Sequence, residues 1–392
     1  MSTASSTSVS ALTGRATADL WPKVAYTLDD NVPVAPPTAP GNANKTETTA
    51  APPRQPPTVD LGAMAGIPVE VLHMILRCCD IQSMAHFRGL NRRAADVVDS
   101  LPEYRILCRH AANLGRAYHA ASAPTPSEKD NSGGAGSILQ PRRLCSPPVR
   151  AIVATLHDPR CEGCSLALGT FFYLPTGHRI CIACIASWGD ISPAFHKPDT
   201  RFPGRYFVPV TAAMAGRLIG LPRATFGTLP GRMRVLPGTY GAVSRNNTSD
   251  GLVTFGAGDS EGGSIEGWEE MVDLETVVRA AGVASGGMDE LIRVLFDYLR
   301  CSSMEWEQGI LVRRGRDEEV VRREKALWYA AVVRVPVLRR SGEAVSAEWG
   351  FPCPGCKTEE GLNLRYTRET LLLHIKMFGK VKRGRHVKED EV

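Results

Sequence analysis

The 392-residue sequence has no run of roughly eighteen or more apolar residues, which argues against a transmembrane helix. Its first residues are rich in Ser, Thr and Ala and lack a basic stretch followed by an apolar one, so no secretory leader is read there. The expected location is therefore cytoplasmic or nuclear, not secreted. Charge of one sign is also lacking: 46 Lys and Arg against 41 Asp and Glu give a net charge of +5 and a pI near 8.6, too mild to demand a nucleic-acid partner, and nothing points to a membrane. Catalytic signatures are missing as well. No phosphate-cradling Gly-rich loop follows a strand, no nucleophile elbow occurs and no paired acidic motif suggests a metal hydrolase; Gly282, Gly286 and Gly287 read as loop glycines. No repeat of fixed period is present, and no catalytic residue is assigned.

Cysteine, by contrast, is plentiful. Eleven cysteines without a leader suit a reducing compartment, where Cys-x2-Cys pairs bind metal more often than they form disulfides. Cys161, Cys164, Cys181 and Cys184 form a Cys-x2-Cys-x16-Cys-x2-Cys framework. Two residues between cysteines let a tight turn aim both thiolates at one ion, and two such knuckles complete the tetrahedron that zinc prefers. Residues 170–174 read as a strand and Pro175-Thr176-Gly177 as a turn, a hairpin able to bring the knuckles together. Four protein ligands would leave no open position, so the expected role is structural rather than catalytic. His178 reads as a neighbour of that site rather than a ligand. A second site is less complete: Cys353 and Cys356 precede a helix capped by Thr367 that carries Leu371, His374 and Ile375 on one face. The fourth ligand is expected three to five residues after His374, yet 378–380 are Phe, Gly and Lys. Either His386 folds back, a distant Cys or an acidic group completes the shell, or the site is incomplete. Cys78, Cys79, Cys108, Cys145 and Cys301 read as isolated thiols.

The organisation expected is α+β. Residues 1–60, dominated by Ser, Thr, Ala and Pro, read as a disordered tail, with Trp21 and Tyr26 as its only aromatics and the one hint of a docking peptide. A helical block covers 61–120, a linker 121–142, the metal-type region 143–240 and a flexible insertion 241–267. Helices, a strand and the second cysteine motif fill 268–376, before a charged tail over 377–392. Met288, Leu291, Ile292, Leu295 and Leu299 form a helical core stripe, and Tyr329 to Leu338 reads as strand.

In the helical block, Pro68 suits a first helical position, and Val71, Leu72, Ile75 and Leu76 follow at helical spacing. Asp80 and Asn91 suit the caps of two further helices. Ile81, Met84, Phe87 and Leu90 stripe the first of these, Leu101-Pro102 stops the second, and Tyr104 through Tyr118 reads as one last helix. The order of a Pro-Val-Glu-Val-Leu opening, an Ile-Leu pair, a capping Asp and a Phe-Arg-x-Leu-Asn-Arg-Arg stretch resembles an F-box. The resemblance continues to about residue 376, through Arg150 to Leu156, Cys161 to Cys164, Phe172 to Pro175, Arg179 to Cys184, Leu236 to Tyr240 and Cys353 to His374. In that order these stretches resemble a group of fungal F-box proteins. Two departures stand out: Gly177 where the group usually has a cysteine, and no cysteine after the terminal His.

The resemblance implies a non-catalytic subunit of an SCF-type ubiquitin ligase. Pro68, Leu72, Ile75 and Leu76 would face a Skp-type adaptor, a cullin would be the scaffold, and the region braced by zinc would present a surface to a protein target. The alternative is a zinc-ribbon nucleic-acid-binding or regulatory protein, with Lys376, Lys380, Lys382, Arg383, Arg385 and Lys388 contacting phosphates.

Overall fold

The computed structural model describes residues 25–32, 61–122, 146–165, 167–186, 207–242, 262–265, 269–282, 304–307, 310–313, 326–342, 344–356, 364–382 and 384–387. The stripe from Met288 to Leu299, the linker beyond 122, Trp21, Arg383, Lys388 and the tip of the 241–267 insertion lie outside them.

The chain is mixed α and β, with short helices and small antiparallel sheets. A strand β1 (Ala25–Tyr26) and a one-turn helix α1 (Leu28–Asn31) come first. Five helices follow: α2 (Val69–Arg77), α3 (Ile81–Leu90), α4 (Arg92–Ser100), α5 (Pro102–His110) and α6 (Ala112–Ser122). Their starts are written in the sequence. Asp80 accepts from the Ser83 amide at 2.7 Å and Asn91 from that of Ala94 at 2.8 Å, each meeting an amide that has no partner within its helix. Pro102 opens α5, where its missing N–H costs nothing. The single last helix expected over Tyr104–Tyr118 is two, because Ala111 leaves helical geometry at φ −141° and ψ 40° between α5 and α6.

Beyond α7 (Val149–His157) the chain forms β2 (Phe171–Tyr173), β3 (His178–Ile180) and α8 (Ile182–Ala186). Next come β4 (Pro209–Thr211), α9 (Ala212–Ile219), α10 (Arg223–Phe226), β5 (Met233–Val235), β6 (Gly238–Ala242), β7 (Gly262–Ile265), β8 (Glu269–Asp273) and α11 (Leu274–Ala280). A hairpin β9 (Met304–Glu307) and β10 (Ile310–Arg313) precedes β11 (Val332–Arg334), β12 (Val337–Ser341), β13 (Ala344–Glu348), β14 (Phe351–Pro352) and β15 (Arg365–Tyr366). The last elements are α12 (Arg368–Phe378), β16 (Lys380–Lys382) and β17 (Arg385–Val387). Among the described residues three sheets have three strands, in the orders β1-β6-β7, β11-β2-β3 and β4-β8-β5. The strand expected from Tyr329 to Leu338 is broken: residues 326–330 are helical, and β11 and β12 are separate strands in different sheets.

One hydrophobic core runs from Leu28 to Leu338, so the helical block and the cysteine region share an interior across the boundaries drawn from sequence. Tyr118 of α6 donates its hydroxyl to the Leu174 carbonyl at 3.1 Å, and the Asn113 amide reaches the Arg334 carbonyl at 2.6 Å. A small second core, Cys353, Tyr366 and Leu371, sits around the C-terminal cysteine pair. The Ser/Thr/Pro-rich stretch read as a disordered tail needs correction at 25–32: β1 pairs with β6, and Leu28 is fully buried in the main core. Among the described residues no helix is long and apolar enough to cross a membrane.

Candidate metal centres

The expected hairpin joins the first pair of knuckles. Strand β2 carries three buried aromatics, Phe171, Phe172 and Tyr173, and pairs with β3 from Phe171↔Ile180 to Tyr173↔His178. Cys161 and Cys164 lie on a turn before β2; Cys181 and Cys184 lie directly after β3, the latter on α8. Cys161 and Cys184 sulfurs are 3.7 Å apart, and those of Cys164 and Cys181 3.8 Å. Four sulfurs around a tetrahedral ion with bonds of ~2.3 Å lie ~3.8 Å apart, so the cage has the size such an ion needs. Backbone amides point at the sulfurs, Cys181 N at Cys161 Sγ and Cys184 N at Cys181 Sγ. The first knuckle closes through Ser165 N to Cys161 O at 2.7 Å, with Ser165 held at φ 57° in the left-handed region.

Charge at the cage is unevenly shared. Hydrogen bonds from Cys161 first, then Cys181 and Cys184, hold the Cys164 thiol far below its ordinary range. The corresponding contacts with Cys161 and Cys164, with burial, push Cys181 and Cys184 well above theirs. Four thiolates so close and so buried repel one another, and a divalent cation between them removes that cost. His178 stands aside: its Nδ1 meets Thr176 Oγ1 at 2.7 Å and its Nε2 lies 3.4 Å from Glu162.

Behind this cage lies Arg179, fully buried, its five N–H groups directed at five carbonyls: Gly169, Leu156, Asp158, Val335 and Pro336. It ties the end of α7, the loop before β2 and the β11–β12 connection into one unit. Burial pushes this guanidinium down to about 9. Nothing in the cysteine spacing signalled it, although an Arg two residues before a knuckle was in view.

At the second site, Cys353 precedes a single 3-10 turn that Cys356 ends, and α12, capped by Thr367 accepting from Thr370 N, carries His374 inward. The fourth group of the cluster is His386. Gly379 ends α12, the β16–β17 hairpin turns the chain back, and Val381↔His386 pairing sets the imidazole over the cysteines. Cys353 Sγ and Cys356 Sγ each lie 3.3 Å from His386 Nε2, Cys356 Sγ lies 3.2 Å from His374 Nε2, and the two Nε2 atoms are 3.1 Å apart. Such a cage with two nitrogen ligands is expected to show ~3.3–3.6 Å across, close to these values. His386 Nδ1 donates to the Gly379 carbonyl at 2.8 Å, which leaves the Nε2 lone pair for an ion. His374 is wedged between Tyr366 and Phe378 with ring centroids 4.6 and 4.7 Å away. Hydrogen bonding from Cys356 first pulls the Cys353 thiol down to about 3. Both clusters can therefore hold a metal ion, each with all ligand atoms within 4.8 Å of one another.

The two sites are neighbours. The Leu168 amide, between the first knuckle and β2, donates to the Arg365 carbonyl of β15 at 2.8 Å. Burial, then charge on Cys356, Cys353, Cys181 and Cys164, pushes the Tyr366 phenol above its ordinary value.

Comparison with protein-family models, with curated proteins and with solved structures finds no match.

The residues expected to face an adaptor divide in two. Pro68 and Ile75 are at the surface, Ile75 being 50% exposed, whereas Leu72 and Leu76 are 4% and 5% exposed and anchor α2 in the core. In place of those two leucines, the outer face carries Val71 and Met74, at i+3 and i+6 from Pro68. The sequence pattern placed both faces on one helix but could not tell inner from outer.

Proposed function

We propose that the chain is a substrate-recognition subunit of an SCF-type ubiquitin ligase, its helical block an F-box and its cysteine region a recognition module braced by two structural zinc ions. The observation that carries this reading is α2, apolar on both sides. Leu72 and Leu76 are satisfied by the core, while Val71, Met74 and Ile75 are 42%, 64% and 50% exposed along the adjoining outer stripe. An apolar stripe without cover among the described residues suits a partner helix. The order of motifs that resembles fungal F-box proteins supplies the identity of that partner, a Skp-type adaptor. The chain itself performs no bond chemistry in this reading. It raises the local concentration of a target near the ubiquitin-charged enzyme.

A pulldown with purified Skp adaptor tests it. The wild-type chain is expected to bind, and Met74→Asp with Ile75→Asp to weaken binding by about tenfold or more. Both side chains are exposed, so the double variant keeps its fold, whereas Leu72→Asp would unfold α2. A wild-type chain that does not bind, or a double variant that binds as well, sinks the reading. Thiolate and imidazole ligands in tetrahedral cages favour zinc; metal analysis is expected to find about two zinc ions per chain.

A further inference from the structure

The segment 25–32 sits on the protein as a peptide ligand sits on a receptor. Its backbone extends the β6–β7 sheet by two residues, Ala25↔Ala242 and Tyr26↔Gly241. One aliphatic side chain, Leu28, is fully buried among α6, β6 and β11, and Thr27 is buried beside it. The following turn is polar and specific: Asp30 forms an ion pair with Arg334 at 2.8 Å, and the Asn31 carboxamide donates to the Thr239 carbonyl at 3.1 Å. Gly238 makes room for that carboxamide, since a Cβ there would run into it. The turn is also prefolded by its own contacts, Thr27 N to Asp30 Oδ2 at 2.8 Å.

We propose that this groove, bounded by the edge of β6, by α6 and by Arg334 of β11, is a docking site for a linear segment of a partner protein with the pattern Thr-Leu-x-Asp-Asn, and that residues 25–32 fill it in cis. Each wall of the groove has a partner besides the segment: β6 pairs with β7, β11 pairs with β2, and α6 packs on β5. Strand addition to a sheet edge, one apolar anchor and one charge pair are the parts of peptide recognition by β-augmentation. The segment is part of the same chain as the groove, so the cis copy acts at an effective concentration that a trans partner must compete with. The inference stands whether or not α2 binds an adaptor.

The test uses the full chain with a protease site inserted between Thr46 and Glu47. Once cut and diluted, the chain is expected to bind a fluorescent peptide of residues 23–34, while the uncut chain binds it about a hundredfold more weakly. The Asp30→Lys peptide is expected to bind the cut chain about tenfold more weakly, with binding restored by Arg334→Glu in the protein. The proposal falls if the cut chain loses its thermal transition together with the segment, which would make 25–32 an ordinary structural strand. It also falls if cut and uncut chains bind the peptide alike, or if the Asp30→Lys peptide binds as well as the native one.

Discussion

The two candidate metal centres use the same knuckle, Cys-x-Gly-Cys, and set it in opposite surroundings. Around Cys161 to Cys184 the ligands belong to the main core: Cys161 and Cys181 are buried in it, β2 contributes a row of buried aromatics, and α8 is anchored by Ile182 and Ile185. Around Cys353 to His386 the core is three buried residues, and the last ligand arrives on a two-stranded hairpin whose strands are half-buried or exposed. A centre inside a large core can share the work of holding the fold. A centre with hardly any core must hold its elements alone, as small metal-dependent folds do. Disruption of one cluster or the other should therefore differ in reach.

The largest expected effect follows from that difference. Cys181→Ser should abolish the cooperative unfolding transition or lower its midpoint severely, because it removes a ligand and places a hydroxyl without its metal in a fully buried site. His386→Ala should remove one metal ion and leave the main transition in place, while α12 and its hairpin become open to proteolysis. Thermal unfolding, metal content and limited proteolysis on the two variants read this directly. Equal behaviour would mean that the Leu168–Arg365 contact couples the centres into one cooperative unit.

Buried arginines sharpen the comparison at the next level. Arg179 gives its donors to five carbonyls behind the first cage, whereas Arg365 reaches the Trp349 and Gly350 carbonyls beside the second. Burial lowers both guanidiniums, to about 9 and about 10. Removing a donor group leaves carbonyls buried without a partner, and the cost scales with their number. Arg179→Met should destabilise by about 3–5 kcal/mol and Arg365→Met by about 1–2 kcal/mol in denaturant unfolding.

How far each centre could be read from the sequence follows the same divide. The first was legible because its ligands lie within one short stretch folded by a single local hairpin, whose aromatics and turn residues were all in view. The second was legible up to His374. His386 was one of several options because helical finger spacing looks three to five residues ahead, and the chain instead inserts a hairpin. A signal was present in Gly379 and Gly384 bracketing an alternating Val381 stretch, which is the composition of a tight β-turn return. The docking of Leu28 was not legible. One leucine in a polar segment carries no periodicity, and the elements packed around it, α6, β6 and β11, lie far away along the chain. The faces of α2 were ambiguous for a related reason: helical spacing groups residues, but only tertiary packing decides which group turns inward.

The last comparison isolates the knuckle itself. In both centres the glycine before the second cysteine lies against a ligand from the opposite half of the cage. A Cβ at Gly163 would stand 2.9 Å from Cys184 Sγ, and one at Gly355 would stand 2.8 Å from His386 Nε2. Neither glycine has a positive φ, so the obstacle to alanine is steric contact with a ligand and not backbone strain. The outcomes should still diverge, because the displaced ligands differ in freedom. Cys184 rides on α8, pinned by Ile182 and Ile185, and has little room to retreat; Gly163→Ala should lower metal affinity by about a hundredfold and reduce stability with it. His386 sits on a hairpin that can swing outward at Gly379, so Gly355→Ala should cost about tenfold in affinity with little change in global unfolding. Competition with a chromogenic chelator measures both. A Gly355→Ala loss as large as that of Gly163→Ala would show that the hairpin is held as rigidly as the core, and that the contrast between the centres lies in ligand chemistry alone.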